Sequence, residues 1–277
     1  MEGISRFEHV RRRHVGRFIS AAVIVALTWW VAMAFVRGQI EWPVVGRFFT
    51  AHTILVGLGN TVLMTASAML LGISIGVTVA IMRLSPNPVV NWAAASYVWF
   101  FRGTPLLLQL LMWFNLALVF PKLGIPGLFE VRTVDVMTPF LAAFLGLGIN
   151  QGAYTSEVVR AGFLSVDHGQ YEAASAIGMA RLQALRRIIL PQAMRVIVPP
   201  IGNELIGMVK VTSLASVIQF QEMLYNVENI YYVNNYVIEL LIVATIWYLA
   251  VVTVLSALQQ RLERYFARGA GRAARPR

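Results

Sequence analysis

The chain contains no cysteine among its 277 residues. Disulfides, thiolate metal sites and cysteine nucleophiles are therefore excluded. Charge is scarce too: 13% of residues are Asp, Glu, Lys or Arg, where a soluble domain carries about a quarter. Histidine is limited to His9, His14, His52 and His168, spread too widely for metal-ligand spacing. No Ser/His/Asp arrangement falls at a common depth, so covalent catalysis is not expected. The phosphate loop G-x-x-x-x-G-K-[ST] is also missing, so the chain does not hold and hydrolyse ATP in the P-loop manner. What is abundant is apolar: 58% of residues are hydrophobic and the mean hydropathy is +0.67. These values describe an integral membrane protein with one membrane domain. The net charge of +10 sits on basic residues that flank apolar runs, which points to bilayer orientation and not to nucleic acid.

A helix needs about 20 apolar residues to cross the hydrocarbon. Six runs meet that need, and the chain is expected to be all-α. The first is Phe18–Val36, preceded by Arg11, Arg12, Arg13 and Arg17. Ala32-Met33-Ala34 resembles a signal cleavage site, but the run exceeds a usual h-region and carries Trp29 and Trp30. It reads as a retained span. The second covers Thr53–Met82, is rich in Gly, Ala and Ser, and ends before the breaker Ser85–Pro88. The third, Val89–Phe120, is interrupted at Phe101–Pro105, where Thr104 suits an N-cap and Pro105 a first helical position. A loop with Pro121, Pro126, Glu130, Arg132 and Asp135 follows. Then come Met137–Phe163, Val196–Phe220, a polar loop from Gln221 to Asn235, and Tyr236–Leu258.

Basic residues distribute unevenly about these spans. With a cytoplasmic N-terminus, Arg83, Arg181, Arg186, Arg187, Arg195, Arg261, Arg264, Arg268, Arg272, Arg275 and Arg277 all fall inside, whereas Arg37, Arg47, Lys122 and Arg132 fall outside. The positive-inside rule therefore places both termini, and the segment Ser165–Gln192, in the cytoplasm.

That segment is charged and helical, too polar for lipid. Cap-type residues at Asp167–Gln170 precede the helix former Tyr171–Ile177, and Gly178 sits where a left-handed residue closes a helix. A second helix, Arg181–Leu190, is expected to stop at Pro191. Tyr171, Ala174 and Ile177 share a face, with Ala173 as a small neighbour. Such a helix can enter a groove on another protein, or it can simply connect two spans. The residues alone leave both readings open.

Glu172-Ala173-Ala174, three residues, Gly178, nine residues, Ile188, one residue, then Leu190-Pro191 resembles the EAA motif of ABC importer membrane subunits. Phe101–Leu110, Gly152–Gly162, Leu190–Glu204 and Val209–Leu214 look like the polar amino-acid branch of those permeases, the histidine, glutamine, glutamate and arginine type. The resemblance implies a five-helix ABC permease core at 53–262, with a cytoplasmic coupling-helix hairpin at 165–192. An additional N-terminal transmembrane helix at 18–36, a basic cytoplasmic N-terminus at 1–17 and a basic cytoplasmic tail at 263–277 complete the chain. It implies that Glu172, Ala173, Ala174, Gly178, Leu190 and Pro191 dock into a cytoplasmic ATPase dimer. A second permease subunit, identical or related, and an extracytoplasmic solute-binding protein are the other expected partners. No cofactor is expected in this chain, because ATP and magnesium would be bound by the ATPase. The setting is the inner membrane of a bacterium, and the cargo a polar amino acid.

Charges at membrane depth are costly and mark a pathway or a partner. Arg102, Glu157, Arg160, Glu204, Lys210 and Glu239 are the candidates. Glu157 and Arg160 can pair at three-residue spacing, and Arg102 can satisfy carbonyls freed at the helix break. A zwitterion needs a partner for each end. A helix restart at Gly103-Thr104 would offer N–H groups to a carboxylate, while Glu157, Asn150 or Gln151 would meet an ammonium. Tyr154 and Trp99 would line the passage, and Lys210 with Thr212 and Ser213 lies deep in the fifth span. A carrier or channel driven by ions through Glu157 and Lys210 is the alternative, and an intramembrane enzyme a third. Neither needs the EAA segment.

Overall fold

The computed structural model describes residues 15–125 and 128–267. The arginine runs at 11–13 and 268–277, on which part of the orientation expectation rests, lie outside the described residues. Helices dominate. An isolated α1 (Val15–Arg37) and a short amphipathic α2 (Trp42–Phe49) lead into α3 (His52–Arg83), α4 (Pro88–Gly103) and α5 (Leu106–Phe114). After a 3₁₀ turn at Leu116–Leu118 come two antiparallel strands, β1 (Lys122–Ile125) and β2 (Phe129–Arg132), then α6 (Thr133–Val136) and α7 (Pro139–Leu164). The all-α expectation thus holds apart from this one hairpin, which occupies what the prolines had marked as loop. Among the described residues four segments are long and apolar enough to cross a bilayer: Gly16–Arg37, His52–Arg83, Arg181–Ile218 and Val237–Phe266. α7 has the length, 26 residues, but Asn150, Gln151, Glu157 and Arg160 interrupt its apolar surface.

Small residues decide which helices touch. α3 and α7 form the most extensive pair in the fold, because glycines on each helix receive side chains of the other. Gly72 meets Gln151, Gly76 meets Thr155, Gly148 meets Leu71 and Gly152 meets Ile75, with Tyr97 of α4 also against Gly152. Lipid supplies no hydrophobic force to drive such helices together, so close van der Waals packing at small residues must do so. A Cβ on Gly76 would lie 2.7 Å from the Cβ of Thr155. Gly76→Leu is therefore expected to lower stability by about 1–3 kcal/mol through overpacking. Thermal unfolding in detergent measures it, and an unchanged melting temperature would contradict the seam.

At one end of this pair α8 (His168–Ala176) and α9 (Arg181–Ala184) form a helical hairpin. Asp167 caps α8 by accepting from the Gly169 N–H at 2.7 Å. Gly178 adopts φ +74°, and the Met179 N–H donates to Ala174 O at 3.0 Å, a Schellman closure. The expected stop at Pro191 is corrected. α9 runs through a π turn, Leu185–Ile189, directly into α10 (Leu190–Val211). Pro191 is the second residue of α10, directly after the π turn.

The far end departs further from expectation. The fifth span was expected to run to Phe220, but α10 ends at Val211 and a 3₁₀ segment, Thr212–Ile218, carries the chain to a left-handed Gln219 with φ 62°. The expected polar loop is mostly helix, α11 (Met223–Asn234), followed by α12 (Val237–Ala267). Asn60 donates to Gln221 O at 2.7 Å and Asn226 donates to Thr53 O at 2.8 Å, so α11 runs alongside the first turns of α3. Its N-cap is Glu222, fully buried. That carboxylate accepts from the Tyr225 N–H at 2.8 Å and from the Tyr248 hydroxyl at 2.5 Å. Met223 N–H donates to Thr61 Oγ1 at 3.1 Å. Polar residues that looked like a water-facing loop instead satisfy one another between α3, α11 and α12.

Candidate functional site

The site forms where α4 breaks. Thr104 does not cap the next helix as expected. It ends α4, its N–H and hydroxyl both donating to Phe100 O, at 3.1 and 2.8 Å, and Pro105 takes the N-cap position of α5. The N–H groups opened by the break are therefore those of the first α5 turn, not those of Gly103-Thr104. The carbonyls it frees are met by side chains. Gln109 Nε2 donates to Phe101 O at 3.0 Å and to Thr104 Oγ1 at 2.7 Å. Asn150 Nδ2 donates to Phe101 O at 2.8 Å and to Gln109 Oε1 at 3.1 Å. This amide pair staples the interruption, a role expected of Arg102, and non-helical backbone at membrane depth requires such partners. Gln109→Ala would leave the staple without its centre and is expected to cost about 1–3 kcal/mol. Thermal unfolding of the solubilised variant checks this, and wild-type stability would sink the assignment.

Beside the staple lies a cavity of about 290 Å³ lined by Thr104, Leu106, Asn150, Gln151, Tyr154 and Glu204 among others. Glu204, from α10, is fixed by α7: its Oε2 accepts from Gln151 Nε2 at 2.7 Å and from Thr155 Oγ1 at 2.9 Å. Gln151 and Thr155 share a face by four-residue spacing and hold the carboxylate at the cavity wall. Arg102 stacks over the Tyr154 ring at 5.1 Å, a cation–π contact. The cavity thus combines a fixed carboxyl group, amide and hydroxyl groups, an aromatic ring and the opening turn of a helix.

Several expected residues lie elsewhere. Lys210 and Ser213 line a separate cavity of about 370 Å³ with Thr245, Tyr248, Leu249 and Val252. Thr212 is fully buried, its hydroxyl donating to Val209 O at 2.7 Å. Gly103 closes α4, and Trp99 is 77% exposed on its outer face. Glu157 faces neither cavity. Its carboxylate accepts from Arg160 Nη2 at 2.6 Å and Nε at 3.0 Å, and lies 3.7 Å from Arg83 Nε. Arg83 in turn donates to Asn91 at 2.7 Å, so Glu157 ties α7 to α3 and α4. Among the described residues no group of three or more His, Asp or Glu could hold a metal.

Two site residues carry little local signal. Glu204 reads as an intramembrane charge but not as a site residue, because its partners lie on another helix. Gln109 has one signal, as the single amide inside the apolar run Leu106–Phe114.

Residues 68–268 match the family described as "Binding-protein-dependent transport system inner membrane component". The arginine transport system permease protein ArgU of Corynebacterium glutamicum is 39% identical over 263 residues, covering 94% of this chain and 83% of its own length. The L-cystine transport system permease protein TcyB of Bacillus subtilis is 36% identical over 235 residues, 83% of this chain and 91% of that protein. Among solved structures, an amino acid ABC transporter crystallised with histidines superposes with a TM-score of 0.67 at 34% identity, covering 77% of this chain and 94% of that one. The MetNI methionine ABC transporter, at 18% identity and a TM-score of 0.64 over 77% of this chain and 96% of that one, shares the fold. With a helical membrane core, a helical hairpin at one end and a family match across most of its length, the chain belongs to the binding-protein-dependent transport system inner membrane components.

Proposed function

We propose that the chain is the permease subunit of an ATP-driven bacterial importer for polar amino acids. The observation that carries this reading is the cavity built on Glu204, Gln151 and Thr155 beside the α5 restart. Its size suits one amino acid, and its groups are of the right kind for a zwitterion. The N–H groups of the first α5 turn would take the substrate carboxylate, and Glu204 would take an ammonium or guanidinium. The relatives named for arginine and cystine transport handle substrates of this type. Lys210, at its separate cavity, would offer a second carboxylate partner.

The energy enters elsewhere. The α8–α9 hairpin projects from the end of the bundle that carries Arg83, with Glu172, Ala173 and Ile177 exposed. It is the element that would seat in a cytoplasmic ATPase, which would bind ATP and magnesium. Both termini would then be cytoplasmic. A second permease subunit would face the open cavities, and a solute-binding protein would deliver cargo from outside. An ion-driven carrier is less well supported, since Glu157 is already neutralised by Arg160 and Arg83.

Purification of the chain from its native membrane tests the assignment. A P-loop ATPase should accompany it, and hydrolysis by the complex should rise with binding protein loaded with a polar amino acid. A chain purified alone that still catalyses uptake would overturn it.

A further inference from the structure

The hairpin of β1 and β2 has two chemically distinct faces. Its register pairs Lys122 with Arg132, Leu123 with Val131, Gly124 with Glu130 and Ile125 with Phe129. Side chains alternate between faces along a strand, so Leu123, Val131, Ile125 and Phe129 share one side. Lys122, Glu130 and Arg132 share the other. The apolar side is partly covered at its base and bare toward the turn, where Ile125 and Phe129 are each 63% exposed. The polar side neutralises itself: Lys122 Nζ lies 2.8 Å from Glu130 and Arg132 Nε lies 3.5 Å from Asp135. It therefore has little charge left to recruit a charged protein.

The hairpin is also fixed to the membrane end of the fold. Thr133 is fully buried. Its N–H donates to Pro121 O at 3.0 Å and its hydroxyl to Phe120 O. The two strands thus leave the 3₁₀ turn at a set angle. A groove of about 720 Å³ is lined by Phe100, Leu108, Met112, Val119 and Phe120, the last of these next but one before β1. Leu108, Met112, Leu118 and Val119 are all exposed.

We propose that the hairpin lies on the outer leaflet of the bilayer, its Ile125–Phe129 face buried among lipid and its Lys122–Glu130–Arg132 face in water. The occupant of this face is the lipid surface itself, since the residues that lead into the hairpin, Leu118, Val119 and Phe120, are apolar and exposed and its polar side is already paired. Amphipathic elements seat in this way at the interface, with the apolar side just below the headgroups. This inference rests on the membrane placement of the fold and not on the identity of the cargo.

Because the chain has no cysteine, a single introduced thiol carries a label uniquely. Nitroxide labels at Phe129→Cys, Ile125→Cys and Glu130→Cys, in the full chain reconstituted in phosphatidylethanolamine–phosphatidylglycerol vesicles, report collisions with oxygen and with a water-soluble nickel chelate. Positions 129 and 125 should show a several-fold higher oxygen-to-nickel ratio than position 130. Equal nickel access at 129 and 130 would place the whole hairpin in water. Exclusion of both reagents at 129 and 125 would place that face against a second copy of the chain. Either result overturns the proposal.

Discussion

Replacing Ala173 by tryptophan is expected to separate the permease from its ATPase while leaving the membrane helices intact. The reason lies in which alanine faces where. Ala174 is 1% exposed, packed inside the α8–α9 hairpin, whereas Ala173 is on the outside with Glu172 and Ile177. The face expected from helical spacing, Tyr171 with Ala174 and Ile177, is therefore divided between hairpin packing and free surface. An indole at Ala173 adds bulk only to the outer face and holds a partner's backbone away. Central interface positions are worth about 2–4 kcal/mol on substitution, so affinity for the purified ATPase should fall by about 30- to 1,000-fold. Ala174→Trp should also lose the ATPase, but with a lower melting temperature, because it disrupts the hairpin itself. Titration of the ATPase against both variants in detergent distinguishes them. Wild-type affinity in Ala173→Trp would remove the hairpin from the coupling interface.

Glu204→Gln should impair recognition of a cationic amino acid without unfolding the site. The amide keeps an oxygen for the Gln151 and Thr155 donors, now at 2.7 and 2.9 Å from Glu204, but the charge is gone. A hydrogen bond to a charged group contributes about 1.5–3 kcal/mol, which corresponds to a rise in KM of about 10- to 100-fold for uptake of a cationic amino acid. Glu157→Gln is the contrast. It leaves Arg83 and Arg160 facing each other without their shared carboxylate, and should cost about 2–3 kcal/mol of stability. KM should stay unchanged. Uptake kinetics and thermal unfolding of both variants decide the matter. An unchanged KM in Glu204→Gln beside a raised one in Glu157→Gln would reverse the roles assigned here.

These contrasts show what local pattern can and cannot reveal. The apolar length of α3 and α12, the break near Thr104 and the left-handed Gly178 follow from local preferences, and all were legible. α11 was not. Its Asn226 and its cap Glu222 read as loop residues because their partners, Thr53, Thr61 and Tyr248, sit on α3 and α12. Pro191 read as a stop because a π turn that absorbs it has no clear sequence signature. The small hairpin was hidden by its prolines, although Leu123, Ile125, Phe129 and Val131 alternate as a half-buried strand pair would. At the site, the break was visible but its staple was not. Asn150 and Gln109 are 41 positions apart, and only tertiary packing brings them together. Glu204 shows the same limit: its charge marked it, but its role depends on Gln151 and Thr155 across a helix interface.

The most direct test is uptake of labelled polar amino acids into vesicles that contain the chain together with the ATPase and binding protein expected to co-purify with it. Uptake should require ATP on the ATPase side and loaded binding protein on the other, and should persist when the proton gradient is collapsed. Uptake that continues without ATP and follows the proton gradient would contradict a permease powered in trans.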